Sequence, residues 1–121
     1  MSGLINYRMF SLTETPDLNG KVAVLTGGQA GIGKEIAAQL LLHNISKLYI
    51  LARSKEKFKS AKDYWYDTHQ ISEEVVGRVE FLPCDLSDMV VVKKVADELV
   101  KKLDRLDILI NNAGTSPTGY V

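Results

Sequence analysis

One cluster of glycines, and its place in the order of apolar segments, narrows the folds open to this chain more than anything else in it. Thr26-Gly27-Gly28-Gln29-Ala30-Gly31-Ile32-Gly33 lies between two segments of different periodicity. Before it, after Pro16 and the Asn19-Gly20 turn signal, Lys21 to Thr26 is a short valine-rich run of the kind expected for a strand buried on both faces. After it, Gly31 to His43 carries Ile32, Ile36 and Leu40, with Ala37 and Leu41 one step round, the spacing of a single apolar helix face. A strand turning through glycines into a helix brings unpaired helix N–H groups and the positive end of the helix dipole to the turn, where a pyrophosphate can meet them. Each glycine then has a physical task. Gly27 permits the tight turn, Gly31 lets backbone approach a phosphate with no Cβ in the way, and Gly33 allows close packing of helix on strand.

The alternation continues. Leu48 to Ala52 is a second strand-like run, and Ser54 offers an N-cap oxygen to a helix reaching about His69. Arg78 to Leu82 predicts a third strand closed by Pro83, which has no ladder N–H to give. Ser87 is placed to cap the next helix, whose apolar stripe is Met89, Val92, Ala96, Leu99 and Leu103. The sheet is the natural cover for that stripe, and a coiled-coil partner is the other. Leu106 to Ile110 predicts the last strand. Strands and helices alternating through short connections imply an α/β, Rossmann-type doubly wound parallel sheet, here truncated to about four strands with three crossover helices. Tyr64, Trp65 and Tyr66 are expected to pad a helix face rather than to stack nucleotides. His43 and His69 show no partner in the sequence and are expected to be structural or surface residues.

With 121 residues, 45% of them hydrophobic and 25% charged, the chain has the make-up of one ordinary globular domain. Its 15 basic and 15 acidic residues cancel, leaving no field to gather nucleic acid. The single cysteine, Cys84, excludes an internal disulfide, and no Cys/His group has zinc spacing, which points to a reducing, cytoplasmic setting. Leu40-Leu41-Leu42 and Val90-Val91-Val92 fall far short of the roughly 20 apolar residues of a membrane-spanning helix, so no transmembrane segment is expected. Met1 to Phe10 lacks the pattern of a signal peptide and reads as part of an extension. The sequon Asn44-Ile45-Ser46 is discounted, because nothing else suggests secretion.

The glycine spacing is Gly-x-x-x-Gly-x-Gly, within Thr26-Gly27-x-x-x-Gly31-Ile32-Gly33. Cys84-Asp85-Leu86-Ser87 follows the third strand, and Asn111-Asn112-Ala113-Gly114 ends the fourth. On these three motifs, in this order over Gly20 to Gly114, the chain resembles the short-chain dehydrogenase/reductase family. Leu51-Ala52-Arg53-Ser54 and Thr26 to Glu35 look most like its retinol dehydrogenase and light-induced alcohol dehydrogenase members. The resemblance implies that residues 1–19 are an N-terminal extension and 20–121 the NAD(P)-binding half-domain, incomplete at its catalytic half. It implies a cofactor-binding set of Thr26, Gly27, Gln29, Ala30, Gly31, Ile32 and Gly33 around the pyrophosphate. By the same resemblance Asp85 holds the adenine amino group, Leu86 packs near the ring, Asn111 steadies the sheet, and Ala113 and Gly114 border the ribose and nicotinamide. Thr115 stands where the family more usually has an aliphatic residue. Asp85 also reads as a plain polar strand end or helix cap.

An NAD-selecting site normally ends its second strand on an acid that accepts from the ribose 2′-hydroxyl. Here Arg53 and Ser54 stand there instead, a guanidinium and a hydroxyl that suit a 2′-phosphate, which favours NADP(H) over NAD(H). The same arginine with Lys55, Lys57, Lys59 and Lys62 also reads as a solvated basic face. In the family a tyrosine is the acid/base of hydride transfer, and a lysine four residues on lowers its pKa. Tyr7 leads to Ser11, Tyr49 to Arg53, Tyr64 to Thr68 and Tyr66 to Gln70, while Tyr120 has only Val121 after it. No catalytic residue is therefore assigned. The family's assisting serine and helical asparagine lie beyond its Asn-Asn-Ala-Gly segment, so Asn111 and Asn112 are not that asparagine. The expectation is the NADP(H)-binding portion of an oxidoreductase acting on alcohol or carbonyl groups, a fragment or inactive alone. The alternative is a free-standing NADP(H)-binding regulatory or interaction module. Besides the nicotinamide dinucleotide, self-association or a partner along the edge formed by Leu106 to Ile110 is anticipated.

Overall fold

The computed structural model describes residues 11–28 and 31–114. A 3-10 turn at Leu12–Glu14 precedes β1 (Val22–Thr26), α1 (Gly31–Leu42), β2 (Lys47–Ala52), α2 (Lys55–His69), the short α3 (Glu73–Val76), β3 (Val79–Pro83), α4 (Met89–Lys102) and β4 (Ile108–Asn111). The four strands form one parallel sheet in the order β3-β2-β1-β4. The chain winds outward from β1 to β2 and β3, then returns through α4 to place β4 on the other side of β1. Strand order thus reverses beside β1, the position at which open α/β sheets bind ligands outside their carboxyl ends.

Alternation along each strand divides the core in two. Ala23, Leu25, Leu48, Ile50 and Ala52 meet α1 and α2 through Ala37, Ala38, Leu41, Ala61 and Trp65. The other parity, Val24, Tyr49, Leu51, Leu82 and Cys84, meets α4 through Val95 and Leu99. Covered on both faces, the inner strands have no polar parity to show, which explains their unbroken apolar runs. Trp65 is fully buried, its indole N–H donating to the Lys34 carbonyl at 2.9 Å, and Phe58 lies edge-on to it while stacking on Phe81. Trp65 therefore serves the core as expected, whereas Tyr66 is 61% exposed. Leu18, from the stretch read as an extension, is buried in the core, and its N–H donates to the His43 carbonyl.

Three local expectations are corrected. On α1 the sheet-facing residues are Ala37, Ala38 and Leu41, while Ile32 is 77% exposed. On α4 the buried line is Val95 and Leu99, with Val91, Val92 and Leu103 beside it, and Met89 and Ala96 are exposed. The helix lies over β1, β2 and β3, so the centre of its stripe is turned from the anticipated one and one apolar flank stays open. Its N-cap is Asp88, whose Oδ1 accepts from the N–H groups of Val90 and Val91, because the Ser87 side chain is engaged with Asp85. Ser54 does cap α2, accepting from the Lys57 N–H. At the far end of α4, Lys102 pairs with Glu80 of β3, which Lys47 of β2 also reaches at 3.5 Å. Among the described residues no helix is long and apolar enough to cross a membrane.

Candidate functional site

The chain leaves β1 at Thr26, turns through Gly27 and Gly28, and enters α1 at Gly31. Gly27 has φ +73°, and a Cβ there would stand 3.1 Å from the Cα of Ala113. Only a residue without a side chain fits both the left-handed turn and the adjacent strand end. Gly28, given no role from sequence, sits where a Cβ would press on Leu25 and Ile50 at 2.7 and 3.0 Å. A Cβ on Gly33 would collide with the Gly27 carbonyl oxygen, so the first turn of α1 rests directly on the loop. Gly31 is the opposite case. Its φ is +56°, and among the described residues a Cβ there would meet nothing within 4 Å.

That space lies at the N-terminus of a twelve-residue helix whose first turn carries no acidic side chain. Unpaired N–H groups and the dipole favour an anion there. The residues present therefore fit a pyrophosphate, with the glycine at position 31 leaving open the volume that a side chain would fill. Gln29 and Ala30 lie outside the described residues, and so does Thr115. Ile32 is exposed at the helix start.

The loop is fastened to β4. Thr26 is buried, and its hydroxyl oxygen accepts from the N–H groups of Asn112 and Ala113, each at 3.1 Å. The Asn112 amide donates to the Gly27 carbonyl at 3.2 Å. Asn111 ends β4 in register with Thr26 and is exposed. The side-chain link from this motif to the loop thus comes from Asn112, which sequence reasoning had named only to set it aside as a catalytic asparagine. Ala113 and Gly114 follow, both exposed, and among the described residues a Cβ on Gly114 would meet nothing within 4 Å.

Beyond β2, Arg53 is exposed and Ser54 half-buried. The Ser54 oxygen accepts from the Lys57 N–H, which leaves its own O–H to donate. Cys84 extends the ladder past β3, its N–H donating to the Ala52 carbonyl at 2.9 Å, and so sets Asp85 beside the end of β2. Asp85 Oδ1 accepts both the hydroxyl and the N–H of Ser87, at 2.6 and 3.0 Å. Those two bonds, helped by the Arg53 charge, hold its carboxyl below the usual carboxylate range, so it stays ionised near neutrality. Leu86, next in sequence, is 41% exposed. Burial, and then the Asp85 charge, push the Cys84 thiol up, which keeps it a neutral core group rather than a nucleophile.

Arg53, Ser54, Asp85, Leu86, the glycine loop and Ala113-Gly114 thus all stand at the carboxyl ends of the four strands. Among the described residues they make an open shelf. Two concave grooves lie along α2, α3 and β3, lined by Phe58, Lys59, Lys62 and their neighbours, and share no residue with the shelf. The histidines have partners the sequence did not show. His69 Nε2 lies 3.0 Å from Glu35 Oε2, which also accepts from the Tyr64 hydroxyl at 2.6 Å, and His43 Nδ1 lies 2.7 Å from the Gln39 carbonyl oxygen.

Comparison with known proteins gives one consistent result. The family model described as short chain dehydrogenase matches residues 21–121. A mitochondrial oxidoreductase of Neurospora crassa, bli-4, is 46% identical over 87% of this chain and 25% of its own length. Among solved structures, the NADP-bound C-domain of a bacterial malonyl-CoA reductase is 35% identical, with a TM-score of 0.66 over 88% of this chain and 16% of that one. An NADPH-bound short chain oxidoreductase of Pseudomonas aeruginosa, which contains an atypical catalytic center, is 28% identical, with a TM-score of 0.65 over 88% of this chain and 41% of that one. The chain spans about a quarter to a third of the length of the curated relatives it matches.

Proposed function

The chain belongs to the short chain dehydrogenase family, and on that basis we propose that these residues form the NADP(H)-binding portion of an oxidoreductase that moves a hydride between a nicotinamide and an alcohol or carbonyl carbon. The observation that carries the proposal is the open volume at Gly31, beside a loop whose Gly33 leaves no room for a side chain, whose Gly27 is left-handed and tightly packed, and which stands at the start of α1. When bound, the nicotinamide supplies or accepts the hydride. The chain's own residues bind and orient. The loop and the α1 N–H groups hold the pyrophosphate, the Arg53 guanidinium and the Ser54 hydroxyl read the 2′-phosphate, Asp85 accepts from the adenine amine beside Leu86, and Ala113 and Gly114 border the ribose and nicotinamide. The NADP and NADPH held by solved relatives support a nicotinamide dinucleotide. The preference for the phosphorylated form rests on Arg53 and on the lack of an acid at the end of β2. The lone buried thiol supports a reducing intracellular compartment.

This reading requires the dinucleotide site, and calorimetric titration with NADPH tests it. The parent chain is expected to bind and Gly31→Val to lose binding, with helix content by circular dichroism largely kept. A variant that binds as the parent does would place the phosphate elsewhere and reduce the glycine loop to a turn.

A further inference from the structure

The Asp85 side chain on the shelf is held by two hydrogen bonds. One oxygen, Oδ1, takes two donors from a single residue, the Ser87 hydroxyl at 2.6 Å and the Ser87 N–H at 3.0 Å. Among the described residues nothing donates to the other oxygen, Oδ2. The Ser87 hydroxyl is not spent on capping α4, whose cap is Asp88. An ionised carboxylate only accepts hydrogen bonds, and one held at two points cannot swing to follow a donor that moves.

We propose that Ser87 is a positioning residue for base selection: by fixing Oδ1 of Asp85 it presents Oδ2 to the purine, so that the shelf takes a 6-aminopurine dinucleotide and rejects its 6-oxo counterpart. This rests on the NADP(H) reading above. Adenine offers N–H groups at ring position 6, which Oδ2 accepts. Hypoxanthine offers a carbonyl oxygen there, which repels Oδ2, and its nearest donor is the neighbouring ring N–H at position 1. A free carboxylate would rotate to reach that donor and restore a bond. One pinned by Ser87 does not, so the selectivity lies in the orientation and not in the charge alone. Arg53 contributes through its field, which helps keep Asp85 ionised.

The test titrates the full chain with NADPH and with reduced nicotinamide hypoxanthine dinucleotide phosphate. The parent is expected to prefer NADPH by about tenfold or more, the discrimination that one hydrogen bond to a charged group provides. Ser87→Ala should reduce the preference to about threefold or less, mainly by gaining affinity for the hypoxanthine form, and Ser87→Thr should keep it. Asp85→Asn supplies an independent arm. Its amide oxygen takes the place of Oδ1 against Ser87, its NH2 faces the base, and the preference should turn toward hypoxanthine. A parent that binds neither dinucleotide would overturn the cofactor reading itself. A parent that binds both equally, a Ser87→Ala chain that keeps the full preference or weakens both ligands alike, or an Asp85→Asn chain that still prefers adenine would overturn this inference while leaving that reading standing.

Discussion

Arg53 is an exposed side chain at the end of β2, and the proposed preference for NADP(H) rests on it. Replacing it with alanine should weaken NADPH binding by about tenfold or more, as expected for loss of a charged donor to phosphate, and should leave NADH within about twofold of the parent. Calorimetry with both dinucleotides measures the ratio, and an unchanged ratio would make Arg53 part of a solvated basic face. The tasks given to Gly27 and Gly33, a tight turn and close packing of helix on strand, were legible beforehand because glycine alone meets them, and their angle and clearances agree. The parts played by Gly28 and Asn112 were not legible. Gly28 is set by two side chains that the fold brings against it, one of them on another strand, and the Asn112 bond to Gly27 spans 85 positions. Asp88 displaced Ser87 as the cap because both residue types cap equally well and only the Asp85–Ser87 pairing decides between them.

Between α1 and α2 stands a polar clamp. Glu35 of α1 accepts from the Tyr64 hydroxyl, from His69 at 3.0 Å and from the Gln39 amide at 3.2 Å, while the Lys34 ammonium lies 3.9 Å from the centre of the Tyr64 ring. The Tyr64 bond, then His69 and Gln39, hold the Glu35 carboxyl below its ordinary range against the opposing effect of burial. A carboxyl lowered on folding stabilises fully above its unfolded pKa, near about 4.3, and that stabilisation is lost as pH falls through the folded value. The same bond raises the Tyr64 hydroxyl, so its stabilisation holds below an unfolded pKa near about 10 and is lost as pH rises through the folded one. Glu35→Gln should therefore flatten the acid limb of a stability–pH profile and cost at most about 1 kcal/mol at neutrality, since the carboxylate is 43% exposed. Urea denaturation at several pH values checks this, and an acid limb as steep as the parent's would show the clamp to be idle. Elements and their order were readable from periodicity, but the rotation of α1 and α4 about their axes was not. A stripe gives the apolar residues without saying which of them the sheet will reach, and α4 turned to put Val95 and Leu99 inside and Met89 out.

In the described molecule β4 is an edge. Leu109, in register with Val24, points to the side of the sheet that α4 occupies and is 56% exposed, and Val100 on α4 is 76% exposed. Apolar surface beside an open parallel strand favours association, so the 121-residue chain is expected to self-associate as its concentration rises in analytical ultracentrifugation. A monomer across the micromolar range would show that this surface is tolerated in water. The same chain should consume NADPH with aldehydes, ketones or retinoids only at background, because acid/base assistance of the family's type is worth roughly 100- to 10,000-fold and the tyrosine–lysine spacing is lacking in these residues. Saturable turnover that vanishes in Gly31→Val would mean that a second copy or a partner lends the proton relay.

The ties that finish the loop also impose an order in time. The Thr26 hydroxyl and the Gly27 carbonyl find their partners in Asn112 and Ala113, 85 to 87 positions later. On a ribosome, β1 and α1 emerge well before those partners exist, and even in free refolding such a distant closure is among the costliest to make. The loop therefore waits for the fourth strand, and affinity for the dinucleotide should arrive abruptly once that strand is in place rather than grow with chain length. A released chain shortened to end before Asn112 would keep its strand residues and have no finished seat for the ligand.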